Sequence, residues 1–158
     1  MEDIRRLNSS APWEPIFGYA RAVKAGDWLL ISGTTSFDER GVIVGRGQIY
    51  AQARQAIQNI QVVLARAGMA SSNVVRTRIF LTDISGFDAV ARAHQEAFGA
   101  NPPAATVVEV RRLLHPDMMI EIEADAYAGT GGLDERSQGR SRGAARTKPG
   151  PKRSRATA

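Results

Sequence analysis

The sequence predicts an α+β domain in which two amphipathic helices cover one face of a β-sheet. Two segments carry apolar residues at helical spacing, whereas the segments around them alternate or run apolar over short stretches, as strands do. Their order, β-β-α-β-α-β-β, places one layer of helices on one sheet, which defines a two-layer architecture. The 158 residues, of which 43% are apolar, are enough to bury the core of one such domain.

The first half of the domain is predicted to contain a hairpin and a long helix. Trp28–Ser32 (WLLIS) is a short apolar run that predicts a buried strand. The apolar run Val42–Val44 follows a polar turn and is predicted as the hairpin partner of that strand. From Ile49 to Ala67, apolar residues recur every three or four positions, which predicts a helix that ends at Gly68.

The third strand and the second helix follow. Val74–Thr82 alternates and is predicted as a strand with Val75, Thr77, Ile79 and Leu81 on one side and Arg76, Arg78, Phe80 and Thr82 on the other. The segment Ser85–Asp88 resembles a capping box and predicts the start of the second helix. The apolar face of that helix is predicted to comprise Phe87, Val90, Ala91, His94, Ala97 and Phe98.

Two final strands, Ala105–Val110 and Met118–Tyr127, complete the predicted sheet. In the last strand, Ile120, Ile122, Ala124 and Ala126 alternate with Glu121, Glu123, Asp125 and Tyr127. The apolar set is expected under the helices, and the acidic set on the opposite face together with Arg76, Arg78 and Glu109. A face this charged is either solvent-exposed or part of a subunit interface with a polar cleft, and periodicity alone does not decide between them.

Charge divides the chain into two parts. Residues 130–158 hold 8 of the 21 basic and 2 of the 16 acidic residues, a net charge of +6, whereas residues 1–129 have a net charge of −1. Leu133 is the one large apolar residue of this tail, which we therefore predict to be disordered. The sequence thus predicts a domain at 1–129 and a basic tail at 130–158, which either solubilises the chain or contacts nucleic acid.

Several classes of protein are excluded by composition. The absence of cysteine rules out a disulfide scaffold, thiolate catalysis and Cys-ligated metal sites. Two isolated histidines and no phosphate-binding glycine motif predict neither a metal site nor a cofactor. The sequence has no apolar run of transmembrane length and no signal-peptide pattern at its N-terminus, so we expect no membrane partner and a cytoplasmic location.

The order of several segments resembles the Rid (YjgF/RidA) superfamily. These segments are GYARAVKAGDWLLISGTT, AQARQAIQNIQVVLARAG, VVRTRIFLTDISGFDAV and PPAATVVEV followed by MMIEIEADA, and together they span residues 18–128. The resemblance implies the chorismate-mutase-like α+β fold and a homotrimer with a central β-barrel and three clefts between subunits. It would explain the charged sheet face as an interface.

The resemblance also implies site residues. In RidA-like deaminases, the Glu of an E-I-E-A motif positions or activates the hydrolytic water, which assigns catalysis to Glu121. A Tyr and a Ser that shape the pocket fall on Tyr19 and Ser32. The P-A-R-S/T motif, whose Arg binds the substrate carboxylate, implies Ala105 and Thr106 at the substrate site, with Ala105 standing where the family has arginine.

Two further side chains have alternative interpretations. Arg78 lies on the predicted face of Glu121 and is a candidate replacement for the missing arginine. The alternative is a structural ion pair with Glu109, Glu121 or Glu123. His94 lies on the apolar face of the second helix, where a packed, hydrogen-bonded histidine is expected.

Three functions remain open at this point. The first is hydrolytic deamination of an imine, an enamine or a related reactive metabolite, with Glu121 handling water. The second is a non-catalytic trimer that binds a small metabolite in its clefts, which the alanine at position 105 favours. The third is an RNA-directed ribonuclease or translation inhibitor, for which nucleic-acid contact is expected only through the tail.

Overall fold

The computed structural model of the chain describes residues 4–9, 11 and 13–129. The basic tail predicted at 130–158 lies outside these residues, so the boundary at residue 129 stays a prediction. The helices and strands follow in the order β1 (Ile4–Leu7), α1 (Trp13–Phe17), β2 (Ala22–Ala25), β3 (Trp28–Thr34), α2 (Ile49–Arg66), β4 (Val74–Leu81), α3 (Phe87–Phe98), β5 (Ala104–Glu109) and β6 (Ile120–Tyr127).

The six strands form one sheet in the order β1-β2-β3-β6-β4-β5. Neighbouring strands are antiparallel except β4 and β5, which are parallel and are connected by α3. α2 and α3 pack against the same face, where alternate residues of β6 are buried beneath them: Ile120, Ile122, Ala124 and Ala126. The predicted two-layer α+β architecture is therefore confirmed.

The opposite face of the sheet, called the open face below, is not covered by α2 or α3. It carries Leu30 and Trp28 of β3, Arg76, Arg78 and Phe80 of β4, and Glu121, Glu123, Asp125 and Tyr127 of β6. Leu30 is 47% exposed, a large fraction for an apolar side chain in the middle of a sheet.

The hairpin partner of β3 was predicted wrongly. β2 pairs with β3 instead, with Ala25 opposite Trp28, across a tight turn in which Gly26 has a φ of +57°. The predicted partner, Val42–Val44, lies in the loop before α2, where Ile43 forms an isolated bridge to Phe37. Glycines with positive φ bracket this segment at positions 41 and 45, which limits its extended stretch to a bridge.

The alternation in β4 is confirmed at Thr77, Ile79 and Leu81, which are buried, but not at its start. Val74 is 3% exposed and Val75 is 40% exposed, the reverse of the prediction. The cause is an irregularity in the pairing with β6, which inserts one residue between Val74 and Arg76 and so reverses the sides.

Glu109 also lies on the helix side rather than on the open face. β5 runs parallel to β4 with Glu109 opposite Leu81, and Leu81 is fully buried beneath the helices. The Glu109 carboxylate accepts a hydrogen bond from the backbone N–H of Ile84 at 2.9 Å. Glu109 thus orders the turn that leads into α3.

The start of α3 uses a different cap from the predicted box. Asp83 accepts a hydrogen bond from the backbone N–H of Ser85 at 2.9 Å and caps the short 3-10 turn Ile84–Gly86. α3 then begins directly at Phe87 without a side-chain cap of its own.

Candidate functional site

Glu121 lies on the open face near the start of β6 and is half-buried. Its carboxyl group rests directly on the backbone of Gly33 in β3, because a methyl group added at Gly33 would overlap Glu121 Oε1. The absence of a side chain at residue 33 is therefore what allows the carboxyl group to lie where it does.

A bulge in β3 shapes the backbone at this point. Ile31 pairs with Ala124, but the next paired residue of β3 is Thr34, opposite Ile122, so Ser32 and Gly33 lie within an irregular step of the ladder. Ser32 fastens this bulge to the chain before β2: its Oγ donates to the Ala20 carbonyl at 2.8 Å. Its backbone N–H donates to the Arg21 carbonyl at 3.1 Å. Ser32 thus bonds with backbone groups and holds the bulge in place.

Arg21 completes this corner of the site. Its Nη2 donates a hydrogen bond of 2.6 Å to the Gly33 carbonyl, on the residue that the Glu121 carboxyl contacts. Its Nε is buried and has no hydrogen-bond partner among the described residues. The guanidinium carbon lies 5.6 Å from the centre of the Tyr19 ring, a cation–π distance.

Arg21 was not among the predicted site residues, although one signal for it was present. It lies two positions after Tyr19, which was assigned to the pocket, and was therefore a candidate for the same site. The structure brings Tyr19, Ser32 and Glu121 together around Arg21 and Gly33.

The electrostatics of this corner favour a carboxyl group that holds its proton more tightly than usual. Burial raises the pKa of Glu121, and the negative charge of Glu123 raises it further, while the positive charge of Arg21 opposes both. Burial lowers the pKa of Arg21, against the charges of Tyr19, Glu14 and Glu121. The described residues include no ion pair between Arg21 and Glu121, so each group keeps bonding capacity for a third molecule.

Arg78 lies farther along the open face and is engaged by acids. Its Nη2 is 3.2 Å from an Asp125 carboxylate oxygen, and its Nη1 is 3.4 Å from one of Glu123. This is the ion-pair alternative considered from the sequence, with Asp125 as an additional partner. The ligand-binding role of Arg78 stays a prediction.

Ala105 and Thr106 point to opposite sides of the edge strand β5. Thr106 is opposite Arg78 in the register and so lies on the open face, whereas Ala105 is opposite the buried Thr77. Ala105 lines a groove of about 260 Å³ between α3 and β5. Within one chain, Ala105 is therefore separated by the sheet from the corner that holds Glu121.

The groove beside Ala105 is largely apolar and contains one histidine. Its lining includes Phe87, Val90, Phe98 and Val107. His94 Nε2 lies 3.0 Å from Oγ1 of the fully buried Thr77, and the imidazole packs against Phe98 with ring centres 4.8 Å apart. The expectation of a packed, hydrogen-bonded histidine is confirmed, and burial lowers the pKa of His94.

Two properties of the described residues bear on other functions. Among these residues, no group of three or more histidine, aspartate or glutamate side chains is arranged to hold a metal ion. Of the helices in the part of the chain that the structure describes, none is long and apolar enough to cross a membrane.

A family model described as endoribonuclease L-PSP matches residues 9–128, which include every site residue discussed above. The chain belongs to this family. The RutC family protein PH0854 of Pyrococcus horikoshii is 38% identical over 121 residues, which are 77% of this chain and 94% of the relative. The similarity thus covers nearly the whole length of that relative.

Solved structures agree with this assignment. Rv2704 of Mycobacterium tuberculosis, a member of the YjgF/YER057c/UK114 family, is 38% identical with a TM-score of 0.72 over 79% of this chain and 99% of that chain. YyfA of Yersinia pestis, from the Rid protein family, is 28% identical with a TM-score of 0.71, over 79% of this chain and 99% of that one. The resemblance to the Rid (YjgF/RidA) superfamily is therefore confirmed for this L-PSP family chain.

Proposed function

We propose that this chain is a hydrolase that deaminates an imine, an enamine or a related reactive metabolite, with Glu121 as its acid–base residue. The observation that carries the proposal is the half-buried Glu121 carboxyl on Gly33, whose pKa burial raises. A carboxyl group with a raised pKa exchanges protons with water and amines more readily near neutral pH than an ordinary one. Glu121 also stands in the E-I-E-A motif, whose Glu acts on the hydrolytic water in RidA-like deaminases, and this supports the reaction class.

The reaction divides into two stages at one carboxylate. In the first, Glu121 accepts a proton as water attacks the carbon of the protonated C=N bond, which gives a neutral tetrahedral carbinolamine. In the second, the protonated carboxyl returns this proton to the nitrogen; as the C–N bond breaks, the ionised carboxyl takes the proton of the carbinolamine hydroxyl and passes it to the departing ammonia, so a carbonyl compound and ammonium are released. The positive charge of Arg21 favours the ionised carboxylate between turnovers.

The active form is proposed to be a homotrimer in which open faces meet in a central barrel and the clefts lie between subunits. Exposed apolar side chains in the middle of the open face, Leu30 above all, support an interface there. The separation of Ala105 from Glu121 within one chain agrees with a site to which two chains contribute. Tyr19, Ser32, Arg78, Ala105 and Thr106 are the proposed substrate-binding residues.

The decisive experiment measures hydrolysis of 2-iminopropanoate and 2-iminobutanoate by the wild-type chain, Glu121→Gln and Glu39→Gln. Glu39 is an exposed residue in the loop before α2 and serves as the matched control. We expect kcat to fall by at least about 10²-fold in Glu121→Gln, the usual contribution of an acid–base residue, and to stay unchanged in Glu39→Gln.

Two results would overturn this proposal. Equal turnover by the wild type and Glu121→Gln would remove Glu121 from the chemistry. Absence of turnover, combined with a thermal shift on adding 2-oxobutanoate, would instead support the non-catalytic metabolite-binding trimer. Because alanine occupies position 105, the same assay is also run with imino amides, in which a neutral amide replaces the α-carboxylate.

The second candidate is an RNA-directed activity, which the family description and the basic residues 130–158 favour. Residues 1–129 carry a net charge of −1, so attraction to phosphate is proposed to reside in the tail. RNA binding by the full chain should fall steeply with salt and disappear when residues 130–158 are deleted. Retention of RNA cleavage by the truncated chain would instead assign the activity to the domain.

A further inference from the structure

Arg21 is a partly buried cation that is not among the proposed catalytic and substrate-binding residues. Its Nη2 bonds to the Gly33 carbonyl at 2.6 Å, and its Nε is buried without a partner among the described residues. An arginine held in this way loses much of its hydration and of its side-chain entropy. This cost in free energy indicates that the guanidinium has a role in the structure of the surrounding site.

The bond from Arg21 ends at the residue that sets the position of Glu121. Gly33 is in contact with the Glu121 carboxyl, and its carbonyl is held by Arg21, while Ser32 ties the same bulge to Ala20. The bulge is therefore fixed from the β2 side at two successive residues. Movement of Gly33 would change the space available to the carboxyl group.

The other arginines of the open face are occupied elsewhere. Arg78 lies between Glu123 and Asp125, and Arg76 is 3.9 Å from Asp125. Arg21 has no ion pair in the described residues. Its positive charge instead interacts at longer range with the groups around it, of which Glu121 is one. Among the described side chains, Arg21 is the cation that acts on Glu121.

We propose that Arg21 is the positioning residue of the Glu121 site: its guanidinium holds the Ser32–Gly33 bulge against the Glu121 carboxyl and places a positive charge beside it. The expected change in the pH profile of kcat rests on the proposed function. The expected change in the titration midpoint of the Glu121 carboxyl group does not. Arg21 thereby supplies a positive charge beside Glu121. This charge does not depend on whether position 105 holds alanine or the arginine of the RidA motif.

The groups around Glu121 determine how its pKa responds when Arg21 is replaced. Glu123 lies two residues along on β6, Arg21 and Tyr19 come from the segment before β2, and β3 contributes the uncharged Ser32–Gly33 bulge. Phe80 of β4 is directly opposite Glu121 in the register. Removal of Arg21 therefore leaves Glu123 as the charged neighbour, and both burial and Glu123 raise the pKa of Glu121.

The first experiment follows the side-chain carboxyl carbons of Glu-labelled full-length protein by NMR between pH 3 and 9, with Glu121→Gln to assign the resonance. In Arg21→Met the Glu121 midpoint should move to higher pH. Arg21→Lys, which keeps the charge, should retain a midpoint closer to the wild type. Arg46→Met, which removes an exposed ion pair with Asp117, is the matched control and should leave the midpoint unchanged.

The second experiment measures the pH profile of kcat for the same variants. In Arg21→Met the acidic limb should move by the same interval as the NMR midpoint, because the protonated carboxyl cannot accept a proton from water. An unchanged midpoint in a folded Arg21→Met overturns the positioning role. A shifted midpoint with no turnover in any variant overturns the proposed function and leaves the positioning role standing. If Arg21→Met does not fold, Arg21→Gln and Arg21→Lys provide the comparison, and identical midpoints in these two variants and the wild type overturn the proposal.

Discussion

Glu121 occupies a position that raises its pKa above that of an exposed carboxyl group. Burial and the neighbouring charge of Glu123 both raise its pKa, and Arg21 opposes them without reversing the direction. The folded state therefore binds this proton more tightly than the unfolded chain, whose carboxyl has an ordinary pKa of about 4.5. By linkage, the ionised carboxyl destabilises the fold at neutral pH, which is the usual relation between an acid–base residue and stability.

Glu121→Gln is therefore expected to stabilise the protein at pH 7 to 8. The contribution that the neutral carboxyl makes to folding is fully present below the unfolded pKa and is lost as pH rises through the higher folded pKa, so the gain in Tm should vanish near pH 4. Thermal melts across this range check the sign. Glu39→Gln, an exposed carboxyl, should show no such pH-dependent gain, and a lower Tm of Glu121→Gln at pH 8 would contradict the assignment.

Gly33→Ala should separate activity from stability. The φ of Gly33 is negative, so the backbone tolerates a Cβ, but the new methyl group would overlap Glu121 Oε1 and displace the carboxyl group. Displacing a reacting group by about 1 Å costs up to roughly 10²-fold in rate, whereas rotating a flexible side chain costs the fold little. We expect kcat to fall by about 10-fold or more with a Tm within a few degrees of wild type.

Gly86→Ala provides a control for the glycine substitution. A Cβ there meets Ile49 side-chain atoms at 3.3 Å, away from Glu121, so kcat should be retained. Equal loss of activity in both variants would show that the Gly33 result reports general destabilisation.

At the level of elements, periodicity predicted what the sheet and helices bury. The last strand alternates between isoleucine or alanine and acids, and its register in β6 follows that pattern throughout. The same reasoning failed at Val75, because one extra residue in the ladder reverses the sides of a strand and leaves no trace in the composition.

The candidate site was predictable to a similar extent. Tyr19, Ser32 and Glu121 were found through their motifs, and the structure places them around one corner. Arg21 was missed because its role depends on the bulge in β3, which brings the Gly33 carbonyl within 2.6 Å of the guanidinium. Contacts between distant segments of this kind follow from the register of the strands and not from local sequence.

Gln52 of α2 connects the helix to the loops at one end of the sheet. The fully buried amide donates to the carbonyls of Gly45 and Asp117, at 3.2 and 2.7 Å, and accepts from the Met119 N–H at 2.9 Å. Gln52→Ala would leave the Asp117 carbonyl and the Met119 N–H without these partners, whereas the Gly45 carbonyl keeps its hydrogen bond from the Gln48 N–H. Each unsatisfied buried group costs about 1–3 kcal/mol, so for two groups we expect a loss of about 3 kcal/mol in the free energy of unfolding.

Urea denaturation measures this loss, and Gln58→Ala is the matched control. Gln58 is an exposed residue of the same helix, so its replacement should change the free energy of unfolding by less than about 0.5 kcal/mol. Similar values for the two variants would show that water replaces the Gln52 amide.

For the whole molecule, the question is whether one chain holds the complete site or whether open faces of several chains must meet to form it. The corner around Glu121 lies on this face, while the groove beside Ala105 lies on the other side of the sheet. An isolated chain would expose Leu30 and Trp28 to water on a face with paired charges around them. Packing of open faces against one another would bury these two side chains. It would also bring the groove beside Ala105 of one chain toward the Glu121 site of the next, as the proposed trimer requires.

Leu30→Arg tests this arrangement directly. In a trimer the new charge would be buried in an interface, whereas in an isolated chain it would replace a side chain that is already 47% exposed. Light scattering should show the wild type at three times the chain mass of 17.1 kDa and Leu30→Arg at a single chain mass, still folded by circular dichroism. Val62→Arg, at a 55% exposed position on α2, should remain trimeric.

If the clefts lie between subunits, turnover is lost with the trimer in Leu30→Arg and kept in Val62→Arg. A trimeric Leu30→Arg would exclude the open face as the interface, and full turnover by a monomeric variant would show that one chain holds the complete site.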